Sequence, residues 1–355
     1  MTQPDPDRTG NRSRRPIKLL IGLPAGVVLI VLVLYLADFS WQGVADQIMG
    51  ARWHILLGVA VSTAVIYYVA SLRWRFIVGD LTGGLTNVPV GYFYFYVAVA
   101  SLSGLLIPRT VGDISVRSLA LKFSGGVPLT RGVYSVVVGH LMTFMVNSLF
   151  VLPAILFLTK TLSLGQAMVL ALVIVALFVT LFLLFNRYLF AAAARVYYSF
   201  LNLAARLPVL KKRMGPQAAF VAADFHVTRK TAGKIMLCGL AQYFLVILRL
   251  YIVAYALRLD IGFPLLFLGA SILLTLSLIS VFPASLGLSE AGWYGVLSLA
   301  GVADPSAITF IVGERIFSTL AIIVVGGLTW FAYQLFSGPR RTDSTQAPAA
   351  VKPDH

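Results

Sequence analysis

Apolar runs of roughly twenty residues recur along almost the whole chain, and that is the length an α-helix needs to cross a hydrocarbon core about 30 Å thick. The strong spans fall at 17–37, 54–78, 131–158, 163–185, 234–257 and 305–334. Backbone groups inside lipid must find partners within their own segment, so repeated spans of this kind call for helices. Composition agrees: 12% of the residues are charged, against about 25% in soluble domains. The sequence therefore predicts an all-α polytopic membrane protein.

Residues 1–16 are polar and rich in Pro and Arg and read as a disordered cytoplasmic tail. Residues 17–37 begin like a signal peptide, but the apolar run is long and lacks a small-x-small cleavage site, so an anchor is expected. A transmembrane region over 17–336 and a disordered tail over 337–355 complete the division. Tyr188 to Leu210 is apolar but broken by Arg195, Asn202 and Arg206 and followed by Lys211, Lys212 and Arg213. That pattern suits an interfacial helix inside a basic cytoplasmic segment, 186–233.

Two apolar stretches behave differently. Residues 90–107 run into Pro108-Arg-Thr-Val-Gly112-Asp113, and 264–282 run into Pro283-Ala-Ser-Leu-Gly287-Leu-Ser-Glu290. Each is followed by a limb too short to cross alone, so both read as re-entrant hairpins. Charge supports this reading. With the N-terminus in the cytoplasm and both hairpins returning, 23 of the 28 Lys and Arg residues lie on the cytoplasmic side, the C-terminus included. Arg52, Lys160 and Arg258 fall outside, near Asp38, Asp46, Asp260 and Asp304. The net charge of +15 thus points to a membrane surface, not to nucleic acid.

A weak internal repeat joins these pieces. Tyr67-Tyr68-Val-Ala-Ser-Leu72-Arg73 matches Tyr243-Phe244-Leu-Val-Ile-Leu248-Arg249 at an offset of 176, Pro108 and Gly112 match Pro283 and Gly287 at 175, and Val138-Gly139-His140 matches Val312-Gly313-Glu314 at 174. Each copy reads span, re-entrant hairpin, span: 54–78, 90–123 and 131–158, then 234–257, 264–302 and 305–334. Under the charge-based topology the hairpins enter from opposite faces, which makes the repeat inverted, the arrangement of secondary transporters. The alternative is an eight-span bundle whose prolines are kinks.

At Pro108-Arg-Thr-Val-Gly112-Asp113-Ile-Ser-Val-Arg117 and Pro283-Ala-Ser-Leu-Gly287-Leu-Ser-Glu290-Ala-Gly292 the chain resembles the lysylphosphatidylglycerol synthase transmembrane family, the flippase-like membrane regions that include that of the multiple peptide resistance factor. Resemblance covers roughly residues 17–335. Gly139-His140 stands where that family commonly has Glu-Arg, whereas Glu314-Arg315 keeps the pair in the second half. Aminoacylation in two-part members resides in a soluble C-terminal domain, and here the chain ends within about 20 residues of its last span, so the expectation is the membrane region without a synthetase. The resemblance implies translocation of an anionic or modified phospholipid, or of a polyprenyl-phosphate-linked lipid, in the cell inner membrane.

Ionisable groups inside spans are costly and tend to mark function. Glu314 and Arg315 lie about 15 Å into their span, and His140 lies at a similar depth in the first copy. Arg73, Arg109, Arg117 and Arg249 are candidates for a lipid phosphate, because a guanidinium matches phosphate oxygens with a rigid fork of donors. Near a helix end, Arg73 and Arg117 have snorkelling to the head groups as the competing role. Asp113 and Glu290 follow the tip glycines and are candidates for proton or cation uptake, or for pairing with a nearby Arg. Pro108, Gly112, Pro283 and Gly287 shape the hairpin tips. Pairing on other helices is the competing role for Glu314 and Arg315, and a satisfied core position that for His140.

No His-Glu-x-x-His, paired-cysteine or Gly-rich Lys-Ser/Thr phosphate loop occurs, and neither a cofactor nor a metal is expected. The one cysteine, Cys238, reads as a packing residue. The function expected is therefore transport, not catalysis, with membrane lipid as the partner and no nucleic acid. Two other readings stay open: a membrane glycosyltransferase using a lipid-linked donor, with Asp38 and Asp46 outside the first span, and a scaffold for an envelope-biosynthesis enzyme.

Overall fold

In the computed structural model, residues 49–82, 88–205, 228–279 and 285–336 are described, with Gln42 and Asp46 as isolated positions. The expected anchor 17–37, both tails, residues 206–227 and the tip residue Pro283 lie outside the described residues. The described chain is helical with no strand, as an α-helical polytopic membrane protein requires. Its helices are α1 (Trp53–Thr82), α2 (Val90–Ser103), α3 (Arg109–Gly125), α4 (Leu129–Ser148), α5 (Val151–Leu158), α6 (Leu164–Ala205), α7 (Arg229–Ala256), α8 (Phe263–Ile279), α9 (Leu288–Leu299) and α10 (Asp304–Phe336). Five stretches are long and apolar enough to cross a membrane: His54–Thr82, Leu129–Leu158, Leu164–Phe185, Arg229–Ala256 and Asp304–Leu335. They coincide with five of the spans expected from the sequence.

Local chemistry explains the boundaries. Leu129–Leu158 is interrupted at Leu149 and Phe150, between α4 and α5, because Pro153 has no N–H to give the carbonyl of Leu149 and its ring crowds that carbonyl. Gly126, at φ 63°, ends α3 in the left-handed conformation that suits glycine, and its N–H bonds to the carbonyl of Leu121. Thr228 caps α7 by accepting the N–H of Thr231. The sequence divides 163–210 into a span and an interfacial helix, but α6 continues unbroken through Ala205, over a length of about 63 Å. Arg195 and Asn202 do not interrupt it, because neither residue breaks a backbone ladder. Through the span, α6 shows Val169, Leu172, Val173, Leu177, Leu181 and Leu184 to the outside, the surface a lipid-facing helix needs.

Helices α1 and α7, the matched first spans of the two copies, run antiparallel side by side. At one end the N–H of Arg52 donates to the carbonyl of Ala256 at 3.0 Å, and the Arg52 guanidinium sits 5.2 Å over the Tyr255 ring. At the other end the Thr228 N–H and the Thr231 hydroxyl donate to the Asp80 carboxylate at 2.9 and 3.0 Å. Gly58 lies at this contact, 3.5 Å from Ile252 at the position a Cβ would take, an ordinary packing distance. Small residues at such contacts take the place of the hydrophobic drive that lipid removes.

Apart from the contacts of α5 and α6, the remaining helix pairs come in duplicate. The pairs α1–α2, α2–α3, α3–α4, α1–α4, α1–α10 and α2–α10 have as counterparts α7–α8, α8–α9, α9–α10, α7–α10, α7–α4 and α8–α4. Helices α2 and α3 fold back on each other where Gly112 faces Ser103 with no room for a Cβ between them. After this turn α4 starts beside the C-terminal half of α1, where the Trp74 indole N–H donates to the Ser135 hydroxyl at 3.1 Å. Helices α8 and α9 fold back likewise, Gly292 lying against Leu273, and Gly313 of α10 then packs on Leu257 at the end of α7. The start of α3 meets the end of α8: the Thr110 hydroxyl donates to the carbonyl of Leu278 at 3.4 Å.

Candidate functional site

Two polar cavities lie end to end along the α1–α7 pair. The first, about 110 Å³, is lined by Arg73, Arg109, Asp113, Arg117 and His140 among others. The second, about 180 Å³, is lined by Arg109, Arg249, Glu314, Arg315, Ser289 and Trp293 among others. Tyr67, Ser101, Arg109, Gln242 and Ser277 border both and form the partition. Tyr67 and Gln242 stand midway along their helices. Arg73 and Arg249 lie six and seven residues beyond them, about 9–10 Å along each axis. Because α1 and α7 are antiparallel, those displacements run in opposite directions.

In the first cavity, the Asp113 carboxylate accepts from Arg117 Nη1 at 2.8 Å and lies 3.0 Å from His140 Nε2. Asp113 and Arg117 are one turn apart on α3, the spacing at which side chains on one helix meet. The Arg117 guanidinium is also held 4.4 Å over the Trp74 ring, a cation–π contact. Trp74 is fully buried and braced edge-on by Phe93 at 5.0 Å. Arg73 and Arg117 are each 6% exposed. Snorkelling needs a head that reaches water, so this burial argues against that role for either residue. Among the described residues, Nε and Nη1 of Arg73 and Nε of Arg117 have no hydrogen-bond acceptor.

The second cavity holds its charges in pairs. Arg315 on α10 donates from Nε to Glu290 Oε1 at 2.7 Å and from Nη2 to the same oxygen. The other oxygen of Glu290 accepts the N–H of Gly287 at 2.7 Å. Gly287 has φ 80° and starts α9, so this carboxylate satisfies a free N–H at the start of the helix, the N3 half of a capping box, while it ties α9 to α10. Arg249 Nη2 lies 3.9 Å from Glu314 Oε1, which accepts from the Ser318 hydroxyl at 2.8 Å.

The residues singled out in the sequence thus fall into two groups. Arg73, Asp113, Arg117 and His140 gather on the first side, and Arg249, Glu290, Glu314 and Arg315 on the second. Arg109, exposed at the start of α3, borders both. Gly112 and Gly287 act for different reasons, one by admitting Ser103 and one by adopting positive φ, and Pro108 is the residue that opens α3. Sequence reasoning passed over Trp74, Ser101, Gln242 and Ser277. The repeat offset of 176 relates Ser101 to Ser277 and Ile66 to Gln242, so extending the alignment by a few positions locates the partition.

No group of three or more His, Cys, Asp or Glu residues able to hold a metal occurs among the described residues. No curated protein matches the chain. A family model does, that of the lysylphosphatidylglycerol synthase TM region, and its match spans residues 17–326, most of the chain. The spans, the paired short helices and that match agree, and the chain belongs to the lysylphosphatidylglycerol synthase TM region family of membrane proteins.

Proposed function

We propose that this protein moves a lipid with an anionic or modified phosphate head group between the leaflets of the cell inner membrane, without covalent chemistry on the lipid. The observation that carries this reading is the pair of polar cavities stacked along two antiparallel helices, with Arg109 at their common border. A head group occupying such cavities in turn keeps its charge solvated by arginine and hydroxyl groups while its acyl or prenyl chains stay in the bilayer. An unpaired charge at the centre of a span costs at least about 2.5 kcal/mol on the insertion scale, so groups placed there face protein, water or ligand.

On the same reading the two halves form an inverted repeat. α1 and α7 are its equivalent spans, α2–α3 and α8–α9 are re-entrant hairpins from opposite faces, and both termini are cytoplasmic. The antiparallel contacts of α1 with α7 support this, as do the duplicated helix pairs. Anionic phospholipids and polyprenyl phosphates are the substrate class.

The test is the purified protein in vesicles carrying labelled phospholipids and polyprenyl phosphates, with movement between leaflets as the readout. Protein-dependent movement of at least one phosphate-bearing lipid is expected. Product formation from a sugar or aminoacyl donor would favour an enzyme. Failure on every lipid, with stable capture of a membrane biosynthesis enzyme, would favour a scaffold.

A further inference from the structure

Building on the transport reading, we infer that the first cavity is a site for a phosphate monoester, held as its dianion by Arg73 and Arg117. Three arginines, Arg109 shared with the second cavity among them, line the cavity against one carboxylate, Asp113, an excess of two positive charges among these four groups. Asp113 is already engaged by Arg117. The Nε and Nη1 of Arg73 and the Nε of Arg117 are buried donors on cationic groups with no acceptor among the described residues. Such donors are among the most costly to leave unmade, and a guanidinium fork matches the terminal oxygens of a phosphate.

The second cavity supplies the contrast. There Glu314 on the cavity wall answers Arg249 and Glu290 behind the wall answers Arg315, so each arginine that belongs to that cavity alone faces a carboxylate, although Arg249 keeps one buried Nε without an acceptor among the described residues. A chain that used these arginines for packing alone would gain from a second carboxylate in the first cavity too. A phosphodiester brings one negative charge and leaves one of the two excess cations uncompensated. A monoester brings two, and it presents three terminal oxygens where a diester presents two. The Trp74 ring and Asp113 hold Arg117 in place before any ligand arrives, so little side-chain ordering remains to be done on binding.

The same chemistry occurs on a lipid, as in phosphatidic acid or a prenyl phosphate, and in free inorganic phosphate. The experiment is titration calorimetry on the full-length protein in detergent with three probes: dihexanoyl phosphatidic acid, dihexanoyl phosphatidylglycerol and inorganic phosphate. Phosphatidic acid is expected to bind about tenfold or more tightly than phosphatidylglycerol, the difference one charge-assisted contact makes. Arg73→Gln is expected to weaken phosphatidic acid binding by a similar factor and phosphatidylglycerol binding by less, and to leave the ligand-free unfolding temperature unchanged or higher, because it removes an unpartnered buried cation. Inorganic phosphate binding as tightly as phosphatidic acid keeps the site and makes free phosphate its ligand.

Equal affinity for monoester and diester overturns the inference, and that comparison needs only the wild-type chain. Full phosphatidic acid binding by Arg73→Gln overturns it as well. Monoester binding without movement of any lipid in vesicles would leave this site standing and remove the transport reading instead.

Discussion

The two halves share a pattern of helix contacts but not a pattern of charge. Among the described residues of the second half, both acid–base pairs join different helices: Glu290 on α9 to Arg315 on α10, and Arg249 on α7 to Glu314 on α10. In the first half the closest pair, Arg117 with Asp113, lies within α3, and His140 rather than an arginine reaches Asp113 from α4. The second hairpin is therefore latched to its following span by a salt bridge that also caps α9, whereas the first is held by a weaker contact, and among the described residues the first half has three buried guanidinium nitrogens without an acceptor, on Arg73 and Arg117, against one on Arg249 in the second. On the transport reading, duplicated backbone contacts with unequal charge give one end of the proposed pathway a stronger pull on an anion than the other. A symmetric carrier has no such bias.

The largest effect is expected from breaking the latch. Glu290→Gln leaves Arg315 without its carboxylate and weakens the cap on Gly287. The expected loss of stability is about 2–3 kcal/mol, below the roughly 3–5 kcal/mol of a fully buried pair because Arg315 is 30% exposed. Thermal unfolding in detergent checks it. Asp113→Asn, at the corresponding place in the first half, is expected to cost less than half as much. Equal losses would erase the contrast between latched and unlatched hairpins.

A smaller and different effect is expected at Glu314. Glu314→Gln barely changes side-chain volume and keeps an acceptor for the Ser318 hydroxyl, so folding is expected to stay largely intact. Lipid movement in vesicles is expected to fall by about tenfold, the scale set by losing one charge-assisted contact. Normal expression with wild-type transport would assign Glu314 to packing alone.

Two further changes sharpen the account. Trp74→Phe removes the indole N–H bond to Ser135 and weakens the cation–π contact with Arg117. A cost of about 1 kcal/mol is expected from these losses together, with looser phosphate binding in the first half and no change at Arg249. The smallest effect is expected at Asp80→Asn, which loosens the tie to Thr228 and Thr231 by about 0.5–1 kcal/mol, the usual range for a partly exposed cap. The same unfolding assay measures both.

Span length and the positions of the prolines and glycines made most of the architecture legible in the sequence. Hydrocarbon thickness fixes how long a crossing helix must be, and the five described spans appear where that rule puts them. The continuity of α6 through Ala205 was hidden because charge and apolar pattern locate helices relative to water and say nothing about whether two helical stretches join. Charges inside spans were legible for the same reason the spans were, so Arg249, Glu314 and Arg315 stood out against apolar neighbours. Their division into two cavities was not legible. It depends on which helices pack side by side, and Ser101 or Gln242 looks like any other polar residue in a span until α1 and α7 are placed together. The pairing of Arg315 with Glu290 instead of its sequence neighbour Glu314 is of the same kind.

The central claim is that the two cavities belong to inversely oriented halves and open toward opposite faces of the membrane. Single cysteines placed by Thr143→Cys, which lines the first cavity alone, and Ser289→Cys, which lines the second alone, in a Cys238→Ala background test it directly. The readout is labelling by a membrane-impermeant thiol reagent in vesicles of known orientation, added on one side at a time. Labelling of position 143 from one face and of position 289 from the other is the expected result. Labelling of both from the same face would contradict the inverted arrangement, and with it the pathway from one cavity to the other.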